Sequence, residues 1–200
     1  LVAVSGSLAA DNPDDHADLD FMVVTVPGRL WLVRAMAVGL VRLARRQGVH
    51  VCPNYLLTTQ ALDLRHRDLF TAHELLQTVP VQGLRTYQEL LDRNAWAACW
   101  LPNRYQGMKR AGVPYAEVMA WQKIGEAALS GRLGDRLEAW EAQRKQAKLR
   151  TAASQATFTS DVCEGHFGRS RRRSMCTFEA RCATMGIRME SPSLAPPGMG

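Results

Sequence analysis

Apolar positions in the first sixty residues fall in short unbroken runs separated by turn-forming residues. Leu1 to Val4 is such a run, and it stops at Ser5-Gly6-Ser7, the pattern of a buried strand ending in a tight turn. Residues 8–17 are small and polar, with Pro13 and several carboxylates, and read as a loop after a turn of helix. Asp18 to Val26 (DLDFMVVTV) is a strong strand closed by Pro27-Gly28. Arg29 to Gln47 is long and largely apolar and predicts a helix, with Trp31, Met36, Leu40 and Leu43 expected in the core. Gly48 is placed to end that helix, and Arg45 and Arg46 suit its negative end. Val49 to Leu57 (VHVCPNYLL) reads as a third strand interrupted at Pro53. The order β, β, α, β predicts an α+β fold built on a small mixed sheet with helices on one face.

From Asp63 onward the periodicity turns helical. Helices are expected over 66–78, ending before Pro80, over 84–100, ending before Pro102, over 114–129, opened by Pro114, and over 135–150. From Thr151 the composition changes: a basic run SRRRS occupies 170–174, and the chain closes on PSLAPPGMG. One more helix is expected near 174–185, and the last ten residues read as disordered.

Composition narrows this picture only a little. The chain of 200 residues carries a net charge of +6, which favours anionic partners without choosing between nucleotides and nucleic acid. Five cysteines at irregular spacings, with no secretory signal, suit reduced thiols in the cytoplasm. The set Cys163, His166, Cys176 and Cys182 matches no common zinc spacing. No apolar stretch is long enough to predict a membrane span. The chain begins at Leu1, inside an apolar run, which reads as an N-terminally truncated core.

The segment that carries chemistry is Gly6-Ser7 followed, after a ten-residue gap, by Asp18-Leu19-Asp20. Two carboxylates two apart on a strand point to one face. Leu19, Phe21 and Val23 point the other way. Like charges so close raise each other's pKa, and a divalent cation removes the penalty. Hard oxygen donors of this kind suit Mg²⁺, which shares phosphate oxygens readily. Glycine lets the backbone approach a ligand, and backbone N–H groups with the Ser7 hydroxyl would hold phosphate oxygens. Together these elements describe a site for a metal-bound nucleoside triphosphate.

This arrangement resembles the signature of the DNA polymerase β-like nucleotidyltransferase superfamily. The resemblance continues through RLWLVR at 29–34, CPNYLL at 52–57, TAHELLQTVP at 71–80, Asn94 to Trp96 and Leu101 to Asn103. It is strongest to a group of uncharacterised bacterial and archaeal members, over roughly residues 1–105, and fainter around GHF at 165–167. The resemblance implies an enzyme that transfers a nucleoside monophosphate from an NTP to an unidentified acceptor. It implies that Asp18 and Asp20 bind catalytic Mg²⁺ and that Gly6 and Ser7 bind the nucleotide. It divides the chain into a nucleotidyltransferase core at 1–60, a helical region at 61–150 on the acceptor side, and a basic tail at 151–200.

One departure stands out. Many members carry a third carboxylate on the next core strand, and VHVCPNYLL contains none. Cys52 or Asn54 stands near that place, and Asp63, Asp68 and Glu74 are carboxylates from further along. The departure keeps open a catalytically inactive nucleotide-binding or regulatory module. The basic tail keeps open an antitoxin-like or nucleic-acid-associated member, although a charge run is more often solvated and flexible. Arg29 and Arg34 are candidate triphosphate contacts on charge alone, and His73-Glu74 is a candidate polar pair facing the site.

Overall fold

The computed structural model describes residues 1–11, 18–105, 120–152, 158–164 and 167–188. The polar segment 12–17, Pro114 with the start of its expected helix, His166 and the last ten residues lie outside these. The fold is α+β. Five strands form one mixed sheet: β1 (Val2–Ser5), β2 (Leu19–Thr25), β3 (Val51–Thr58), β4 (Val79–Gln82) and β5 (Val162–Glu164), in the order β4-β1-β2-β3-β5.

The pairings follow from the connections. β1 and β2 are antiparallel, with Ser5 opposite Asp20. β2 and β3 are parallel, which needs a long crossover, and helix α2 (Leu30–Arg46) supplies it. β3 continues through Pro53 rather than breaking there. Proline has no N–H for the ladder, so the register slips by one residue and Asn54 is left as the extra residue of a bulge. β4 and β5 are short antiparallel edge strands beside β1 and β3. The sequence pattern did not suggest either one. β4 contains Pro80, and β5 is three residues long.

Helices cover both faces of the sheet, not one. Met22, Val24, Tyr55 and Leu57 share a core with Ala72, Leu75 and Leu76 of α3 (Leu69–Gln77), Leu90 and Leu91 of α4 (Leu84–Arg93) and Ala97 of α5 (Ala97–Trp100). Alternate strand residues face the opposite side. There Val23, Leu56 and Cys163 pack with Leu30 and Trp31 of α2 and with Ala142. Ala142 lies on α7 (Arg132–Ala152), which follows α6 (Ala120–Leu129).

Only the first turn of α2 is buried. Met36, Leu40 and Leu43, expected in the core, are exposed. The helix ends as its sequence predicts: Gly48 has φ +76°, Gly48 N donates to the Arg45 carbonyl at 3.1 Å, and Val49 N donates to the Ala44 carbonyl at 3.0 Å. Its start is unusual. Arg29 gives no side-chain cap, and the Glu138 carboxylate of α7 accepts instead from Trp31 N at 2.9 Å and Leu32 N at 2.7 Å.

The helix expected over 84–100 is broken at Asn94, which is fully buried. Its amide donates to the carbonyls of Leu62 and Leu90, and its oxygen accepts from Leu64 N and Trp96 Nε1. The last described helix, α8 (Phe167–Thr184), is longer than expected and takes in the basic run. Its Arg171 bonds to Asp68, the N-cap of α3, at 2.6 Å, which ties this end of the helix to the fold, while Arg172 and Arg173 are exposed. Among the described residues, no helix is long and apolar enough to cross a membrane.

Candidate functional site

Of the four residues singled out by sequence, Gly6 and Asp20 come together where β1 ends. Ser5, the last residue of β1, is buried opposite Asp20. The chain then turns at Gly6, which has φ +70°, into the short helix α1 (Gly6–Ala9). The turn lies so close to β2 that a Cβ at Gly6 would collide with the Asp20 carboxylate. Glycine is required here twice over, for the left-handed backbone and for the space. Ser7 is exposed on the turn. Asp18 sits just before β2 with its side chain 56% exposed, and one carboxylate oxygen lies 3.9 Å from His50 Nδ1.

Cys52 takes the place across from Asp20. Its position in the parallel register is opposite Asp20, and its thiol is hydrogen-bonded to that carboxylate. Burial, then the charges of Asp20 and Asp18, push the thiol up to about 12. Cys52 therefore stands beside Asp20 as a neutral thiol. Asn54, the other residue considered for this place, is taken up by the bulge.

A carboxylate does reach the site, from a helix. Glu74 of α3 accepts a hydrogen bond from the Gly6 N–H and lies within electrostatic reach of Asp20. Burial and the Asp20 charge raise its pKa to about 7, against the lowering effect of the Gly6 N–H. Its sequence signal was a charge inside a buried stripe. Thr71, Leu75 and Thr78, at helical spacing on either side, are all buried, and an acid in such a stripe needs a reason. His73 does not pair with Glu74. Its Nε2 is 2.8 Å from Gln77 Nε2, and burial and Arg104 lower its pKa.

The other candidates serve elsewhere. Asp63 forms an exposed pair with Arg67 at 3.2 Å, and Asp68 caps α3. Arg29 donates to the Leu129 carbonyl at 2.9 Å and pairs with Asp135 at 2.7 Å, so it ties α2 to α6 and α7. Arg34 lies over the Trp31 ring and is hydrogen-bonded to Cys163, on the opposite face of the sheet from Asp20. None of the five cysteines is in a disulfide.

The donor chemistry suits Mg²⁺. Among the described residues, no three His, Cys, Asp or Glu side chains close into a metal cage. Mg²⁺ seldom uses such a cage and is usually held by one or two carboxylates together with substrate phosphates. Asp18 and Asp20 are donors of that kind, and the Gly6 turn packs directly against the Asp20 carboxylate. Compared with known proteins, the chain matches no family model, no curated protein and no solved structure.

Proposed function

We propose that the chain is a Mg²⁺-dependent nucleotidyltransferase of the polymerase β-like kind, transferring a nucleoside monophosphate from an NTP to a hydroxyl or amine acceptor. The observation that carries this reading is the packing of the Gly6 turn on Asp20. A bare backbone against a carboxylate, at the end of a sheet, is the arrangement in which a phosphate and a cation can share one small space. Asp18 and Asp20 would hold the cation, and the Gly6-Ser7 turn would orient the triphosphate through its backbone and the exposed Ser7 hydroxyl. Bound Mg²⁺ would draw charge from the α-phosphate and the leaving pyrophosphate. The acceptor atom bonds to the α-phosphorus, the α–β anhydride bond breaks, pyrophosphate leaves, and the acceptor proton passes to a carboxylate or to water.

Asp18→Asn and Asp20→Asn variants, checked for an intact fold by circular dichroism, are expected to lose Mg²⁺-dependent pyrophosphate release. Full activity in both would refute the mechanism. Cys52 beside Asp20 favours a second reading, a non-catalytic nucleotide-binding or regulatory module. Calorimetric binding of ATP and Mg²⁺ without pyrophosphate release would select it. The exposed Arg172 and Arg173 on α8 favour a nucleic acid as the anionic partner. Binding with a steep salt dependence, lost on replacing both by Ala, is then expected.

A further inference from the structure

We infer that the exposed face of α2 is where a second copy of this chain docks, with the two α2 helices antiparallel about a two-fold axis at Leu40. The inference is independent of the reading of Asp18 and Asp20. α2 covers the sheet face opposite Asp20, so the contact leaves that site open in both copies.

The apolar surface comes first. A surface helix of a globular fold turns its apolar side inward, and α2 does so only at Leu30 and Trp31. Further along, Met36, Leu40 and Leu43 are 55%, 67% and 55% exposed. With half-buried Val33 before them and exposed Gln47 after, they keep the alternating three- and four-residue spacing of a helix–helix seam. The flanks of the seam are low. Gly39 is exposed beside it with open space outside, and Ala37 and Ala44 border the other side. A second helix axis can therefore approach to about 8–10 Å.

Charge then selects the occupant and its direction. α2 carries Arg34, Arg42, Arg45 and Arg46 and no acid. Arg42, Arg45 and Arg46 are exposed and crowd its last turns. Acids gather at the other end: Glu138 caps the first amides of α2, and Asp135, 65% exposed, is held there by Arg29. A helix that is basic at one end and bordered by carboxylates at the other complements a copy of itself turned end to end. A parallel pair would instead set the arginines of both copies side by side. In the antiparallel register Leu40 meets Leu40, Met36 meets Leu43, and Arg46 comes to the first turn of the other copy's α2, near Asp135. The contact is isologous, so one two-fold axis closes it. Helices of 17 residues are about 25 Å long, which puts the contact at the small end of specific interfaces and makes the dimer concentration-dependent.

Sedimentation velocity of the full chain over about 1–300 µM, the range suited to a small interface, is expected to show a monomer–dimer equilibrium. Leu40→Lys puts like charges on the axis and is expected to weaken the dimer by at least about tenfold. Its melting temperature should not change, because Leu40 is exposed in the monomer. Ile124→Lys, a similarly exposed change on α6, is expected to leave the dimer intact. Oxidative cross-linking in a Cys176→Ser background reads the direction: Leu40→Cys joins to itself, Met36→Cys joins to Leu43→Cys, and Leu43→Cys does not join to itself. A chain that is monomeric throughout, or a dimer indifferent to Leu40→Lys, overturns the inference. Self-joining of Leu43→Cys would show a parallel pair and overturn it as well. Binding of a monomeric chain to phosphatidylglycerol vesicles, lost in Leu40→Lys, would make this face a membrane contact instead.

Discussion

Glu138 offers the sharpest test of how the C-terminal helices support the core. Its carboxylate is 8% exposed and accepts from the first-turn amides of α2 at 2.9 and 2.7 Å. The chain before α2 gives those amides no side-chain cap. Glu138→Ala leaves both without their acceptor, next to the fully buried Leu30. Hydrogen bonds to a charged group contribute about 1.5–3 kcal/mol each, and an anion at a helix N-terminus adds about 0.3–1 kcal/mol. Burying the carboxylate costs part of that sum, so the expected net loss is about 3 kcal/mol. For a chain of this size it corresponds to a fall of roughly 6–12 °C in Tm. Glu138→Gln keeps one acceptor oxygen and is expected to lose about 1 kcal/mol. Urea unfolding followed by circular dichroism measures both. The control is Glu89→Ala, which removes an exposed pair with Arg93 and is expected to change stability by less than about 0.5 kcal/mol. A Glu138→Ala protein as stable as the control, or a Glu138→Gln protein weaker than Glu138→Ala, would refute the capping argument.

Three further outcomes are expected. Glu74 holds its proton in the fold up to about 7, against an ordinary value of 4.5, so it favours the folded state below that ordinary value and loses the contribution as pH rises to 7. In metal-free buffer, wild type should therefore lose about 3 kcal/mol relative to Glu74→Gln between pH 4.5 and pH 8, and parallel pH–stability curves in urea would contradict this. Gly6→Ala places a side chain at φ +70° against Asp20 and should cost at least about 1–2 kcal/mol in thermal unfolding, with weaker Mg²⁺ binding; an unchanged melt and affinity would sink the packing argument. Asn94→Ala strips four hydrogen bonds from a fully buried site and should cost about 3 kcal/mol in urea, and a near-neutral result would show that water replaces the network.

The parts of this fold that sequence made legible are those in which one local signal decides the outcome. The apolar runs at Leu1 to Val4 and Asp18 to Val26 are strands, and Gly48 ends α2. The turn at Gly6 was legible from Ser5-Gly6-Ser7, and Gly6 packs against Asp20. What stayed hidden depends on distant partners. β5 is a strand only because the edge of β3 is there to receive it. Glu74 reaches the Gly6 turn because α3 lies beside β1 and α1, a packing that no local pattern encodes. The apolar stripe of α2 misled in the other direction: periodicity marks which side of a helix is apolar, and the exposed Met36, Leu40 and Leu43 have no described core against them.

The late pairing of β3 sets the order in which this protein can be made. Tyr55 to Leu57 find their edge partners at 162–164, and Thr58 Oγ1 bonds to Asp161 at 2.6 Å. Trp31 Nε1 donates to the Thr159 carbonyl, across 128 residues of chain. At translation rates of about 5–20 residues per second, β3 waits roughly 5–20 s for its outer neighbour. During that interval a nascent chain presents an apolar strand with an open edge, the kind of surface that chaperones bind and that neighbouring chains on a polysome can zip onto. Slowing synthesis across residues 60–160 would lengthen that exposure, so codon choice in this stretch bears on the yield of folded protein.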